Sequence, residues 1–370
     1  MPEQHAFLSA SSAHRWLNCT ASPEMSKGIE NKSTEYAEEG TTAHALAEAI
    51  LTSNVDKAFE ARQSEYYNPD MEDYVDSYVN YAKGVIDTGD KWYVERKVDL
   101  GSVVPDGFGT VDCYVLNLKE KLITVIDLKY GKGIEVNATD NPQLKLYAIG
   151  ALHDAIKERV IDVADIYSWS VKTVIFQPRL HHVDDCVYKN ISSLIEWGNQ
   201  VREKARRAFS GQGVEIKSGE WCRFCPAKIR CREYAGVRES FIEKIFPRDL
   251  YKLSNEELSE LLERLSEFNT YAQGVKDELI EAIKTGGDTK GYALKEVKGK
   301  RILTPDGYKH LEDEGVEVTK TSYVSLTELE RTCGKRYITQ ATEGFIEYGK
   351  PSYRLVKKQD VAKEVFGLGG

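Results

Sequence analysis

The pattern of apolar and polar positions along the chain has two periods, which predict both helices and strands. Apolar residues recur at helical spacing in segments 9–19, 38–51, 71–86, 142–157 and 191–209. Apolar runs or alternation bounded by turn residues, which are typical of strands, occur in segments 92–100, 108–117, 122–129 and 165–177. Because helical and extended segments are interspersed, we expect an α/β fold in which helices flank a mixed central β-sheet.

A different pattern follows this α/β region. Residues 255–284 have long helical periodicity, and Gly286 and Gly287 then interrupt the chain. The length of 370 residues also favours more than one domain. We therefore predict an α/β domain over 1–240, a helical region over 241–286 and a small α+β domain over 287–370.

Charge is distributed unevenly along the chain. The formal net charge of −9 argues weakly against a nucleic-acid partner, because phosphate binding requires basic surface. Residues 30–76, however, contain 12 acidic and 3 basic side chains, whereas residues 202–232 contain 9 basic and 3 acidic ones. A local phosphate-binding face therefore remains compatible with the acidic total.

Two further features concern the compartment. No apolar run is long enough to span a bilayer, and the N-terminus lacks the pattern of a signal peptide, so we expect a cytoplasmic protein with no membrane partner. Seven cysteines in a reducing compartment indicate metal or redox use rather than disulfides.

Acidic residues and a lysine occur together on the predicted strands. Asp112 lies in the strand 108–117, and Asp127 and Lys129 lie at the end of the strand 122–129, where alternation places both on one face. Two carboxylates from neighbouring strands can hold a divalent cation such as Mg²⁺ or Mn²⁺, and the lysine can contact a scissile phosphate. Taken alone, an Asp-x-Lys tripeptide more often forms an ordinary ion pair at the end of a strand.

The order of the surrounding motifs is more specific than any one of them. The chain contains, in sequence, Gly40-Thr41-Thr42-Ala43-His44, Gly109-Thr110-Val111-Asp112, Asp127-Leu128-Lys129 and Gln143-Leu144-Lys145-Leu146-Tyr147. Over residues 10–235 this order resembles the RecB-like nucleases of the PD-(D/E)xK superfamily, which include the nuclease domains of RecB and AddB and a nuclease of CRISPR adaptation.

The resemblance implies a restriction-endonuclease-like core and a set of roles. His44, Asp112 and Asp127 would bind Mg²⁺ or Mn²⁺, with the carbonyl of Leu128 facing the metal. Lys129 would be the catalytic lysine. Gln143 and Tyr147, which share a helical face through their i, i+4 spacing, would support the site or position the DNA strand.

Four of the cysteines have the arrangement of a metal site. Cys222, Cys225 and Cys231 form a C-x2-C-x5-C pattern, and Cys19 lies far upstream. Spacing alone is compatible with zinc or with an iron–sulfur cluster. The resemblance implies a [4Fe–4S] cluster, because such nucleases carry one cysteine before their motifs and C-x2-C-x5-C after them. Of the others, Cys113 and Cys186 are interpreted as core or strand residues.

Basic side chains are interleaved with these cysteines and with the helix before them. The predicted DNA-binding set is Arg206, Arg207, Arg223, Lys228 and Arg230. The aromatic residues Trp221, Phe224 and Tyr234 lie nearby, and cations beside aromatic rings suit single-stranded DNA. Alternatively, the aromatic rings shield the cluster and the cations are only solvated.

The leading functional hypothesis is a metal-dependent DNA nuclease, an exonuclease acting on single-stranded or end-containing DNA. The tail beyond residue 240 resembles the C-terminal part of an uncharacterised family of phages and prophages. This resemblance implies a role in recombination, replication or repair beside a phage single-strand-binding or recombination protein. The alternatives are a non-catalytic module that binds DNA or a partner, and a zinc-stabilised structural protein.

Overall fold

The computed structural model describes residues 6–29, 34–237 and 255–287, together with Tyr292, Arg331 and Arg336. The chain divides into two compact units. The first comprises Met1–Ala227 with Cys333–Gly370, and the second comprises Lys228–Thr332. The predicted boundary near residue 240 and nearly all of the predicted α+β domain over 287–370 lie outside the described residues.

A five-stranded mixed sheet with helices on both faces forms the first unit, which confirms the predicted α/β class. Its helices and strands follow in the order α1 (Ala13–Asn18), α2 (Ser22–Met25), α3 (Glu35–Leu51), α4 (Val55–Arg62), α5 (Asp70–Val85), β1 (Lys91–Asp99), β2 (Phe108–Asn117), β3 (Leu122–Leu128), α6 (Pro142–Lys157), β4 (Ser170–Gln177), β5 (His182–Tyr188) and α7 (Ser192–Ser210).

The strands lie side by side in chain order, β1-β2-β3-β4-β5. Neighbouring strands are antiparallel except β3 and β4, which are parallel. The connection between these two parallel strands contains α6. A parallel pair requires such a crossover, and here it places α6 against one face of the sheet.

Two cores lie on opposite faces of the sheet. On the α6 and α7 side, the largest fully buried side chains include Trp16, Tyr114, Leu116, Ile123 and Leu144. On the α3 and α5 side they are Leu46, Met71, Tyr78, Ile126 and Leu128. The sheet therefore lies between two helical layers, and side chains from either layer can approach its strands.

Most predicted elements of this unit are present, and two begin at other residues than predicted. Helix α3 begins at Glu35 rather than at residue 38, because Thr34 caps it by accepting a hydrogen bond from the Ala37 amide. The strand predicted for 165–177 begins at Ser170, because Val163–Ser168 forms a 3-10 turn.

Three elements were not predicted, the short helices α2 and α4 and strand β5. Helix α2 has only four residues. Helix α4 has only two turns and is mostly exposed. Strand β5 is an edge strand whose side chains alternate between exposed and half-buried, so it lacks the apolar run of a core strand.

The second unit contains a long helix, α8 (Asn255–Lys284), as the helical periodicity predicted. Within this unit Arg230 Nε lies 2.8 Å from Glu278 Oε2, and the Tyr234 and Tyr271 rings meet edge to face at 5.7 Å between centroids. Among the described residues of the whole chain, no helix is both long and apolar enough to cross a membrane.

Candidate metal centre and active site

Three side chains converge from helix α3 and from the middle of strands β1 and β2. His44 comes from α3, Glu95 from β1 and Asp112 from β2, and each offers a ligand atom within 4.8 Å of the other two. His44 Nδ1 lies 3.5 Å from Asp112 Oδ1 and 3.7 Å from Glu95 Oε1. One imidazole nitrogen and two carboxylates form a donor set that suits a divalent cation such as Mn²⁺.

Glu95 was not predicted from the sequence. Its φ is 45°, which is left-handed and unusual inside a strand. The register of β1 and β2 is the same before and after it, with Val94 opposite Cys113 and Arg96 opposite Val111. The pair of Glu95 and Asp112 is missing from the ladder of these two described strands. A local distortion therefore occurs where the carboxylate turns toward His44.

A signal for Glu95 existed in the sequence but was incomplete. Glu95 is an acidic residue in the middle of a predicted strand, and the next strand carries Asp112. Only the register of the hairpin places the two residues opposite each other.

Asp112 also touches the strand that bears the other acidic residue. The regular pairing of β2 with β3 ends at Cys113 and Ile126, and Asp112 Oδ2 then accepts a hydrogen bond from the Leu128 amide at 2.7 Å. This bond ties the side chain of Asp112 to the end of β3. Leu128 itself is buried, with its side chain in the core on the α3 side.

The second half of the site is a polar cluster between β3 and α6. Lys129 Nζ lies 2.8 Å from Asp127 Oδ2 and donates to Gln143 Oε1 at 3.0 Å. Gln143 Nε2 donates to Asp127 Oδ1 at 3.1 Å and to the Tyr147 hydroxyl at 3.2 Å. The structure thus brings together Asp127, Lys129, Gln143 and Tyr147.

Asp127 differs from the other acidic residues in what surrounds it. Its side chain is only 2% exposed. Apart from Lys129 Nζ, its Oδ2 has no hydrogen-bond partner among the described residues. Asp127 is not part of the converging group of His44, Glu95 and Asp112, because its carboxylate is engaged by Lys129 and Gln143.

Burial and charge act against each other in this cluster. Burial alone would lower the pKa of His44, but Asp112 and then Glu95 outweigh it and hold that pKa well above its ordinary value. Burial alone would likewise lower the pKa of Lys129, and Asp127 outweighs it, so this pKa is also raised. Both cations are therefore stabilised by the carboxylates around them.

The carboxylates themselves are not equivalent. Burial opposes ionisation of Asp112, but His44 and then Lys129 outweigh it, so the pKa of Asp112 lies below its ordinary value. Burial raises the pKa of Glu95 and of Asp127 despite their cationic neighbours. Ionised Glu95 therefore carries a desolvation cost that a cation bound to His44, Glu95 and Asp112 would offset, so this donor set fits a metal on energetic grounds as well.

Close packing explains the glycine that precedes Asp112 by three residues. A Cβ at Gly109 would lie 2.7 Å from Cε1 of Tyr147. The glycine therefore lets α6 approach β2 closely enough for Gln143 to reach Asp127. A Cβ at Gly40 would meet no atom within 4 Å, so packing does not require that glycine.

Comparison with known proteins places this chain in a family. Residues 5–363 match the family model described as "Protein of unknown function (DUF2800)". The chain belongs to this family. A solved structure titled "Crystal structure of SSO0001" is similar over 61% of this chain and 98% of that chain, with 11% identity and a TM-score of 0.24.

In this DUF2800 member, the segments that carry three of the four predicted cluster cysteines are docked on each other. Arg15 Nη1 donates to the Phe224 carbonyl at 2.9 Å, and the Glu215 amide donates to Thr20 Oγ1 at 2.8 Å. Cys19 and Cys222 are buried, and burial raises the pKa of the half-buried Cys225. The fourth, Cys231, belongs to the second unit.

The predicted DNA-binding residues of this family member have unequal surroundings. Arg207 Nε lies 3.1 Å from Glu203 Oε1, and Arg230 is paired with Glu278. The Arg223 guanidinium lies over the Phe224 ring, 5.7 Å from its centroid. Lys228 begins the short 3-10 turn Lys228–Arg230. Arg206 is exposed and forms no ion pair within the described ranges.

Proposed function

We propose that this chain is a metal-dependent DNA nuclease with a RecB-like, PD-(D/E)xK-type active site. The observation that carries the proposal is the convergence of His44, Glu95 and Asp112 beside Lys129, which is itself held by Asp127 and Gln143. This combination of a cation site and an adjacent buried lysine is what phosphodiester hydrolysis requires.

Each residue of the cluster has a role in this proposal. A divalent cation, when bound, would lower the pKa of a coordinated water and stabilise charge on the scissile phosphate. His44, Glu95 and Asp112 would bind the cation, with Asp127 and the carbonyl of Leu128 at its border. Lys129 would place its ammonium against the phosphate. Gln143 would hold the side chains of Lys129 and Asp127 in place by hydrogen bonds to both, and Tyr147 would orient Gln143.

We further propose that Cys19, Cys222, Cys225 and Cys231 bind a [4Fe–4S] cluster, with zinc as the chemical alternative. The docking of residues 215–225 against residues 15–21 supports this, because it brings distant parts of the chain together. A cluster there would close a loop of roughly two hundred residues and so restrict the unfolded chain. Its role would then be structural.

The proposed substrate is DNA that is single-stranded or has a free end, in the cytoplasm. Exposed Arg206, and Arg223 on its aromatic neighbour, are the basic residues that best fit a strand of phosphates and bases. Phage or prophage recombination, replication or repair would supply such DNA, with a single-strand-binding or recombination protein as partner.

Digestion of end-labelled single- and double-stranded DNA tests the proposal. We expect the wild type to cleave with Mg²⁺ or Mn²⁺ and not with EDTA. Asp127→Asn should reduce the rate more than about 100-fold, because it removes a charge beside the cation and the lysine. The melting temperature of this variant should fall, because Asp127 is the carboxylate that stabilises the buried Lys129 cation. Circular dichroism at the assay temperature shows whether the variant is still folded.

Asp165→Asn is the matched control, because Asp165 forms an exposed ion pair with Lys121 instead. Its activity should equal that of the wild type. If Asp127→Asn cleaves as fast as this control, the active site is misassigned. If the wild type binds DNA but cleaves no form of it, the chain is a non-catalytic DNA-binding module and not a nuclease.

A further inference from the structure

Helix α3 carries His44 but is anchored unevenly. Its residues 35–37 are exposed, whereas Ala43, Leu46 and Ala47 are buried against the sheet. The half of the helix before His44 therefore gains little from apolar packing. Its position over the strand ends must come from other contacts.

One polar contact joins this exposed half to the sheet. Glu39 Oε2 accepts a hydrogen bond from Arg179 Nη1 at 2.6 Å. The side chains are only 22% and 14% exposed, respectively, so water and salt screen the pair less than a surface ion pair. A short charge-assisted bond of this kind constrains both position and orientation.

Arg179 itself belongs to the end of the sheet that bears the active site. It lies in the turn Pro178–Leu180, directly after β4. The Lys129 amide donates to the Phe176 carbonyl at 2.9 Å, so the ends of β3 and β4 are joined just before this turn.

A tyrosine next to the proposed catalytic lysine completes the arrangement. The Arg179 guanidinium lies over the Tyr130 ring, 4.7 Å from its centroid, and the ring is buried against Tyr74 of α5. The ring supports one side of the guanidinium while Glu39 holds its edge. Arg179 is thereby oriented by Glu39 of α3 and by Tyr130, which lies just after β3.

We infer that Arg179 and Glu39 form a positioning pair that sets where helix α3, and so His44, lies relative to β2 and the end of β3. This inference rests on the proposed metal site. His44 is the one member of the converging group that comes from a helix, while Glu95 and Asp112 come from strands. A tie between the helix and the sheet is what keeps ligands from two layers within reach of one cation.

Titration of Mn²⁺ into the full chain by calorimetry tests the inference without relying on cleavage. Glu39→Gln and Arg179→Gln should each weaken Mn²⁺ binding about tenfold, as is typical for partners that orient a metal ligand. The double variant should be no weaker than either single variant, because the two residues act as one unit. At saturating Mn²⁺, kcat and the KM for DNA should remain close to wild type.

Glu72→Gln is the matched control, because Glu72 of α5 also forms an ion pair with an arginine of another element, Arg62 of α4. It should leave Mn²⁺ binding unchanged. Arg179→Lys keeps the charge but loses the planar fork, so it should weaken Mn²⁺ binding as well. Circular dichroism shows whether each variant is folded, and Glu39→Gln, the mildest change, tests the inference if Arg179 variants unfold.

Several outcomes separate the possibilities. Unchanged Mn²⁺ affinity in folded Glu39→Gln overturns the inference. A raised KM for DNA with unchanged Mn²⁺ affinity also overturns it, because Arg179 would then contact DNA. A wild type that binds no Mn²⁺ overturns both the inference and the metal site. Weakened Mn²⁺ binding in a protein that cleaves no DNA supports the positioning pair and contradicts the nuclease.

Discussion

At Glu95 the backbone takes a left-handed conformation in the middle of β1. Such a conformation is costly for residues other than glycine, and strained residues cluster at functional sites because surrounding structure holds them there. The alternation of buried residues changes across this point, since Val94 packs on the α3 side and Val98 on the α6 side. One residue thus both distorts the strand and supplies a carboxylate.

The strain at Glu95 can be measured by comparing two substitutions. Glu95→Gly should be more stable than Glu95→Ala by about 1 kcal/mol, because only glycine adopts a left-handed conformation without cost. Chemical denaturation of both variants provides the measurement. Lys97 lies in the same strand and has no positive φ. There the order should reverse, so that Lys97→Ala is more stable than Lys97→Gly. The same order at both positions would contradict the strained backbone.

At the scale of elements, the site depends on how closely α6 approaches β2. Asn141 caps α6 by accepting hydrogen bonds from the Gln143 and Leu144 amides, and Pro142 occupies the first turn. Gln143 therefore lies in the first turn of the helix, where its side chain donates to Asp127. The distance between helix and strand is set where Gly109 meets Tyr147.

Gly109→Ala tests this close approach. The added methyl group would overlap Tyr147, so we expect a loss of about 1–3 kcal/mol of stability. DNA cleavage should fall as well, because displaced Tyr147 no longer orients Gln143. Gly84→Ala is the control, since that glycine is in α5 with no atom within 4 Å of an added Cβ. It should stabilise the protein slightly, by up to about 1 kcal/mol. Equal melting temperatures for the two variants would argue against the predicted overlap.

At the scale of the whole molecule, the positions of the cysteines and the distribution of charge along the chain bear on function. The cysteines of the proposed cluster come from opposite ends of the α/β region, so a shared metal group would join them. The net charge is −9, although basic residues are concentrated in 202–232. Both properties lead to measurements on the intact protein.

Protein purified without oxygen should be brown and contain about four irons per chain. Cys225→Ala should lower the iron content and the soluble yield, because a closed loop stabilises the fold. Cys113→Ala is the control, as Cys113 is a buried strand residue outside the proposed ligand set, and it should keep the iron. If the pure protein contains one zinc per chain and no iron, the four cysteines bind zinc and not an iron–sulfur cluster.

The salt dependence of DNA binding should report on the basic region. If Arg206 contacts a phosphate, Arg206→Glu should reduce the slope of log K against log salt by roughly 0.9 per lost contact. Arg207→Glu should have a smaller effect, because Arg207 is already engaged by Glu203 and Glu215. Fluorescence anisotropy at several salt concentrations measures both slopes. Unchanged slopes in both variants would place the DNA path elsewhere on the molecule.

Local periodicity in the sequence determined the elements and the residues that share a face. Alternation was sufficient to place Asp127 and Lys129 together, and the i, i+4 spacing was sufficient to place Gln143 and Tyr147 together. These relations depend on neighbours along the chain. The left-handed residue at Glu95, the short helix α4 and the edge strand β5 carry no comparable local signal.

Only the tertiary structure decided which distant residues meet. His44 reaches Asp112 and Glu95 because of the position at which α3 packs on the face of the sheet. The same position brings Glu39 to Arg179. Asp127 turns to Lys129 and Gln143, because α6 crosses the same strand ends from the other face. Such distances depend on strand register and on the packing of layers, which are set by contacts between residues far apart in the chain.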